Sequence, residues 1–379
     1  MISKPGPKMG LGFFLTIKHR NMKKIFTLMM MAGMALSASA QLADGFYRVK
    51  NVSTGRYIVM YDGYVFKNVA TGSVNLKALQ TVEDWGTVSS HMGSVWYMKN
   101  RSGVEYDMYC QSSSLGAKGN FYPSLLAIGG NYQIYGTYEG FTKYLNDESN
   151  EEGGGGYVSI SGTRPDWSFI PLGGDNYVGI QPETKADGYY WATFMSGFPF
   201  KLGSGMKAYY VSGVSKSGFA MKEMGDEIPA KVPVLIRLNG GSPSDNKISI
   251  QKSNGASSPS KNKLYGNWYS TTLGGNHRDY NLENDDSYRI LGNADGRLAF
   301  VKATTDRLVL GTYIEHNRGI LIVGSGAADA LIESTNGIES IVQDNKDKGT
   351  YTLTGQKVPE GTTPRPGIYI KNGKKMIIK

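Results

Sequence analysis

Cysteine is almost missing. Cys110 is the only one in 379 residues, so no internal disulfide can form and burial alone must hold the core. Histidine is nearly as scarce: beyond residue 40 only His91, His277 and His316 occur, without the spacing of a zinc site. The ordered acidic loop D-x-[DN]-x-[DN]-G that cradles calcium is missing as well. The glycine run 153–156 and the GSGAAD stretch from Gly324 lack the lysine and the following helix of a phosphate cradle. No metal or other cofactor is therefore expected. His277-Arg278-Asp279 matches three letters of a kinase catalytic loop, but no glycine-rich strand or Asp-Phe-Gly accompanies it, and it reads as coincidence. The apolar run from Ile25 to Leu36 is about a dozen residues, short of the roughly 20 that a bilayer-spanning helix needs.

What that run does fit is an export signal. Met22-Lys23-Lys24, the apolar stretch and Ala38-Ser39-Ala40 supply its basic, hydrophobic and small-residue parts. Cleavage after Ala40 would leave Gln41 at the mature end, and residues 1–40 read as an over-extended start, translation beginning at Met22, plus this signal. No cysteine follows the small residues, so a lipid anchor is not expected. Residues 1–40 also hold six basic and no acidic side chains, which leaves 35 basic against 32 acidic in the remainder. A nucleic-acid partner loses its main support, because phosphate binding needs clustered positive charge.

Glycine and tyrosine are abundant, at 50 and 25 residues, and short alternating segments such as FYRVKNV, RYIVMY, VPVLIRL, RLAFVKA and GILIV are separated by turn residues. The fold class expected is all-β, with helices rare and short. Three aromatic units starting near Phe46, Val95 and Tyr132 repeat loosely, 49 and 37 residues apart, as supersecondary units closing a barrel would. The segment VKNVSTGRYI, Val49 to Ile58, resembles the ricin-type β-trefoil family, and the resemblance implies a trefoil-like barrel over 41–185. The Gln-x-Trp signature of that family's sugar-binding branch does not occur.

Residues 186–325 read as a β-sandwich or jelly-roll, with the polar stretch from about Asn239 to Lys263 as a long exposed loop. The phrasing is similar to β-sandwich modules of exported Bacteroidetes proteins. A linker at 326–338 precedes a small C-terminal β unit, 339–379, in which Asn372-Gly373 is placed to turn a hairpin. Leu353-Thr354-Gly355-Gln356-Lys357-Val358, Gly367-Ile368-Tyr369 and Lys374-Lys375 resemble the sorting domains of type IX secretion substrates. That resemblance implies the secretion machinery as a partner, and release or attachment at the cell surface.

Chemistry is harder to place. Asp147, Glu148, Glu151 and Glu152, and again Glu283, Asp285 and Asp286, could hydrolyse a glycosidic bond if two were held about 5 to 9.5 Å apart in a cleft. The first group borders the glycine run, which suggests a solvated loop, and the second a turn. Cys110, flanked by Met108, Tyr109 and Leu115, reads as a small buried apolar residue rather than a nucleophile served by His91. Aromatic faces remain: Trp167 and Trp191 foremost, then Tyr138, Tyr189 and Tyr190, with Tyr144 and Trp268 further candidates to stack on sugar rings or anchor a protein. The expectation is an exported, non-enzymatic protein that binds a glycan or an extracellular protein, with no membrane span after leader removal. A secreted polysaccharide or peptide hydrolase and a structural surface component are the alternatives.

Overall fold

Strands follow wherever apolar and polar residues alternate between glycine-bearing turns. The computed structural model describes residues 41–60, 66–68, 74–111, 113–115, 121–149, 156–215, 218–267, 287–303, 316–324, 329–332, 350–352, 357–358, 366–371 and 374–378. The leader, its cleavage position at Ala40, the 326–328 and 333–338 parts of the expected linker, Trp268, the His277-Arg278-Asp279 triplet and the acidic group at 283–286 lie outside the described residues. Among the described residues the one α-helix is α1 (Trp85–Ser90), whose start is capped by Asp84 accepting the Thr87 N–H at 2.7 Å. The all-β expectation holds.

Twelve strands build the first part: β1 (Gly45–Asn51), β2 (Tyr57–Met60), β3 (Phe66–Asn68), β4 (Val74–Val82), β5 (Trp96–Ser102), β6 (Glu105–Cys110), β7 (Ser113–Ser114), β8 (Ser124–Ile128), β9 (Asn131–Tyr138), β10 (Phe141–Ser149), β11 (Gly156–Ser161) and β12 (Trp167–Pro171). The pairs β1–β5, β5–β6, β6–β8, β8–β9, β9–β12 and β12–β1 close a ring. Between them β2 pairs with β4, β10 with β11, and β4 with β11, so the excursions join each other as well. In each of three units the first strand pairs with the last, which is the trefoil-like arrangement. One boundary differs from the sequence echo. The unit expected to open near Val95 opens at β6 instead, because β5 returns to pair with β1 and so completes the first unit.

The second part holds β13 (Val178–Gly179), β14 (Thr184–Ala186), β15 (Tyr189–Phe194), β16 (Phe200–Leu202), β17 (Lys207–Val214), β18 (Gly218–Glu223), β19 (Glu227–Ile228), β20 (Val234–Leu238), β21 (Lys247–Ile250), β22 (Leu264–Asn267), β23 (Tyr288–Ala294), β24 (Arg297–Lys302), β25 (Arg318–Ile322) and β26 (Ala330–Ile332). They form a four-stranded sheet, β13-β21-β16-β19, and a ten-stranded sheet, β14-β15-β20-β17-β18-β26-β24-β23-β25-β22. The apolar run of β20 has a physical reason: Val234, Ile236 and Leu238 pack with the four-stranded sheet, while Leu235 faces the opposite core with Trp191, Phe219 and Phe300. A strand buried on both faces loses the polar half of its alternation. The stretch expected to be one long loop, 239–263, is interrupted by β21, whose Ile248 is 7 % exposed and completes the smaller sheet.

Met92 and Val95, from the segment joining α1 to β5, sit in the same apolar cluster as Phe194, Phe200 and Ile236. Barrel and second part are therefore packed through one core. The C-terminal strands β27 (Thr350–Thr352), β28 (Lys357–Val358), β29 (Gly367–Lys371) and β30 (Lys374–Ile378) make a separate sheet, β28-β27-β29-β30, in which Lys371 and Lys374 are register partners.

Candidate functional site

The outer face of β1 organises the site. Strand alternation puts Phe46, Arg48 and Lys50 on one side and Tyr47 and Val49 on the other. Arg48 has no exposed surface, and every oxygen it meets is neutral: Ser94 Oγ at 3.1 Å, Asn176 Oδ1 at 2.6 Å, and the carbonyls of Val88 at 3.2 Å and Tyr177 at 2.8 Å. Burial lowers its pKa to about 10. The guanidinium thus ties β1, the α1 segment and the loop after β12 together. Asn176 adds its own bonds to the carbonyls of Ile170 and Pro171.

That loop forms one wall of a cleft of about 420 Å³ between the barrel and the second part. Phe46, Tyr47, Leu172, Tyr177, Ile248 and Ile250 line it together with Lys247, whose ammonium lies 4.5 Å from the Tyr177 ring centre. No carboxylate lines it among the described residues. The aromatic wall continues beyond the cleft: Tyr177 meets Trp85 edge-on at 5.8 Å, Trp85 meets Tyr57 at 5.9 Å, and Arg48 and Lys50 lie over Trp85 and Tyr57 at 5.0 and 5.1 Å. Tyr57, Trp85 and Tyr177 are half-buried. Cations over ring faces polarise such a band and hold its members in place.

The residues expected to bind do not converge. Trp167 and Trp191 have no exposed surface, which corrects the expectation that they reach solvent. Their indole N–H groups donate to the carbonyls of Leu145 and Ala186, each at 3.1 Å, as buried indoles must. Tyr189 packs against the core that holds Trp191, whereas Tyr190 packs against the opposite cluster, because neighbours along a strand point to opposite faces. Arg237 covers the Tyr189 ring at 4.5 Å and Lys185 the Tyr190 ring at 5.1 Å. Tyr138 stands at a hairpin end opposite Phe141, and Tyr144 in β10 carries Arg164 over its ring at 5.1 Å.

Asp147 and Glu148, of the acidic group near the glycine run, stand in a strand and not in a solvated loop. Asp147 lies in β10, its side chain 1 % exposed, and takes Arg56 Nη2 at 2.8 Å, Arg56 Nε at 3.0 Å, Thr81 Oγ1 at 2.6 Å and the Thr54 hydroxyl. Glu148 accepts from Ser159 Oγ at 2.8 Å. Both carboxylates are engaged in holding strands. Glu151 and Glu152 lie outside the described residues.

Cys110 is buried, as read from its neighbours, and burial pushes its thiol pKa up. It lies against the backbone of Met92 and Gly93, the latter carbonyl 3.4 Å from Sγ. His91, 1 % exposed, accepts the Gly93 N–H at Nδ1, and burial lowers its pKa to about 3. A thiol that burial keeps protonated is not an activated nucleophile. Sequence reasoning missed Phe46, Arg48, Trp85, Tyr177 and Lys247. The one available signal was an arginine between tyrosine and valine in FYRVKN, a cation placed inside an otherwise apolar strand.

Among the described residues no helix is long and apolar enough to cross a membrane, and no three His, Cys, Asp or Glu side chains are arranged to hold a metal. No protein-family model matches the chain, and no curated protein matches it.

Proposed function

We propose that this is an exported, non-enzymatic binding protein that holds a glycan along the cleft between barrel and second part. The observation that carries the reading is the preformed aromatic wall of Phe46, Tyr177 and Trp85, set by the buried Arg48 clamp and flanked by Lys247. Rings fixed in advance stack on the apolar faces of sugars without an ordering cost at binding. Lys247 makes no ion pair among the described residues, which favours a chain carrying carboxylate or sulfate groups. The signal-like leader and the sorting-domain-like tail support action outside the cell. Asp147 and Glu148, two of the carboxylates a hydrolase would use, are committed to strand contacts.

A glycan array probed with the full chain tests this. Binding of acidic glycans that falls at least about tenfold in Tyr177→Ala and Lys247→Gln, one lost contact each, is the expected result. An array with no signal, or release of shortened glycan from a soluble polysaccharide, overturns it. Binding to extracellular protein alone would assign the cleft to a protein partner instead.

A further inference from the structure

A second cavity opens beside α1. It measures about 230 Å³ and is lined by Thr87 and Ser90 from α1, Gln181, Phe194, and the run His316-Asn317-Arg318. At that size it admits a single small unit rather than a chain. Its walls come from both parts of the molecule, and they offer hydroxyls, carboxamides, an imidazole and a guanidinium around one aromatic ring.

Charge in it is balanced. The Arg318 guanidinium lies 3.5 Å from Glu183 Oε1 and donates to the Gln181 carbonyl at 3.1 Å, while Glu183 also accepts the N–H and hydroxyl of Thr193. His316 is held neutral by burial and by the nearby imidazole of His91 and guanidinium of Arg318. An anion would find no uncompensated cation there. Asn317 supplies the directional signal. It is 2 % exposed, its Nδ2 donates to Gln111 Oε1 and to the Met195 carbonyl, both at 2.8 Å, and its Oδ1 has no hydrogen-bond partner among the described residues. A buried acceptor in the wall of a polar cavity is suited by a donor that arrives with a ligand.

We infer that this cavity is a subsite for one uncharged polyhydroxyl unit, a neutral sugar residue, whose hydroxyl donates to Asn317 Oδ1 and whose apolar face meets Phe194. It is separate from the acidic-glycan cleft and does not depend on that reading. The two have no lining residue in common.

The test titrates the full chain with neutral hexoses, N-acetylhexosamines and hexuronates, followed by saturation-transfer NMR and calorimetry. Ser90→Met fills the cavity from a half-buried position, and Gln181→Ala removes a contact at its exposed rim; Tyr177→Ala controls for the cleft. A neutral sugar should bind the wild type, weaken at least about tenfold in Ser90→Met and measurably in Gln181→Ala, and be unaffected in Tyr177→Ala, with thermal midpoints unchanged. Loss in Tyr177→Ala alone would place the sugar in the cleft and overturn the inference. So would preference for hexuronates, or absence of any neutral-sugar binding at millimolar concentration while the variants remain folded.

Discussion

Arg48 shows how much one side chain can decide. Desolvating a guanidinium is costly, and here the compensation comes from four neutral acceptors and the Trp85 ring instead of a carboxylate. Removing it would take a donor from Asn176 Oδ1 and the Tyr177 carbonyl, while the Val88 carbonyl keeps the Ser94 hydroxyl. Arg48→Ala should lower the unfolding free energy by ~3 kcal/mol, read from urea midpoints. Arg48→Lys should recover little, because an ammonium cannot reach acceptors spread around a planar fork. A variant within about 0.5 kcal/mol of wild type would show that the clamp is not structural. Cys110 makes the opposite case. Its burial and raised thiol pKa mean that a disulfide reagent should leave it untouched in the native protein and titrate one thiol in denaturant. Rapid native-state labelling would contradict the packing around Met92 and Gly93.

At the scale of elements, two tryptophans occupy matching places. Trp96 opens β5 and Trp167 opens β12, the closing strands of the first and third units. Their indoles donate to Ile58 in β2 and Leu145 in β10, the second strands of those units. The second unit begins its closing strand at Ser124 and has no tryptophan. The residues two before each tryptophan are Ser94 and Pro165, so neither tryptophan is preceded by glutamine at that position. Trp96→Ala and Trp167→Ala should each cost about 3–5 kcal/mol by denaturant titration, as loss of a buried ring does. A near-neutral Trp167→Ala would restore it as a surface residue. Strand alternation made the all-β class and the repeat readable from sequence. It also argued against a single patch from Tyr189, Tyr190 and Trp191, since consecutive strand residues diverge. What alternation cannot reveal is which outer faces another sheet will cover, and so neither Arg48 nor the cleft was legible. β21 hid inside a polar stretch because Lys247 and Ser249, its outward residues, look like the loop around them.

For the molecule as a whole, the junction between barrel and second part sets the response to acid. Gly197 approaches Gln111 so closely that a Cβ there would fall 2.6 Å from the Gln111 Cβ, and Gln111 Oε1 accepts both the Gly197 N–H and Asn317 Nδ2. In the same junction the His91 and His316 rings stack at 3.5 Å and 15°. Arg318 adds positive charge to this pair, offset by Glu183 at 3.5 Å. Both imidazole pKa values are lowered in the folded state, that of His91 from 6.5 to about 3. Between those limits the unfolded chain binds more protons than the folded one, so stability falls as pH drops below about 6.5 and goes on falling toward pH 3. The slope should approach ~1.4 kcal/mol per pH unit from His91, and His316 adds to it in the same direction. Denaturation midpoints at pH 7.5, 6.0 and 5.0 measure this. His91→Asn keeps an acceptor for the Gly93 N–H and should lessen the dependence over that range, leaving the part due to His316. Equal wild-type stability at pH 7.5 and 5.0 would mean that the stacked pair does not couple protonation to the joining of the two parts.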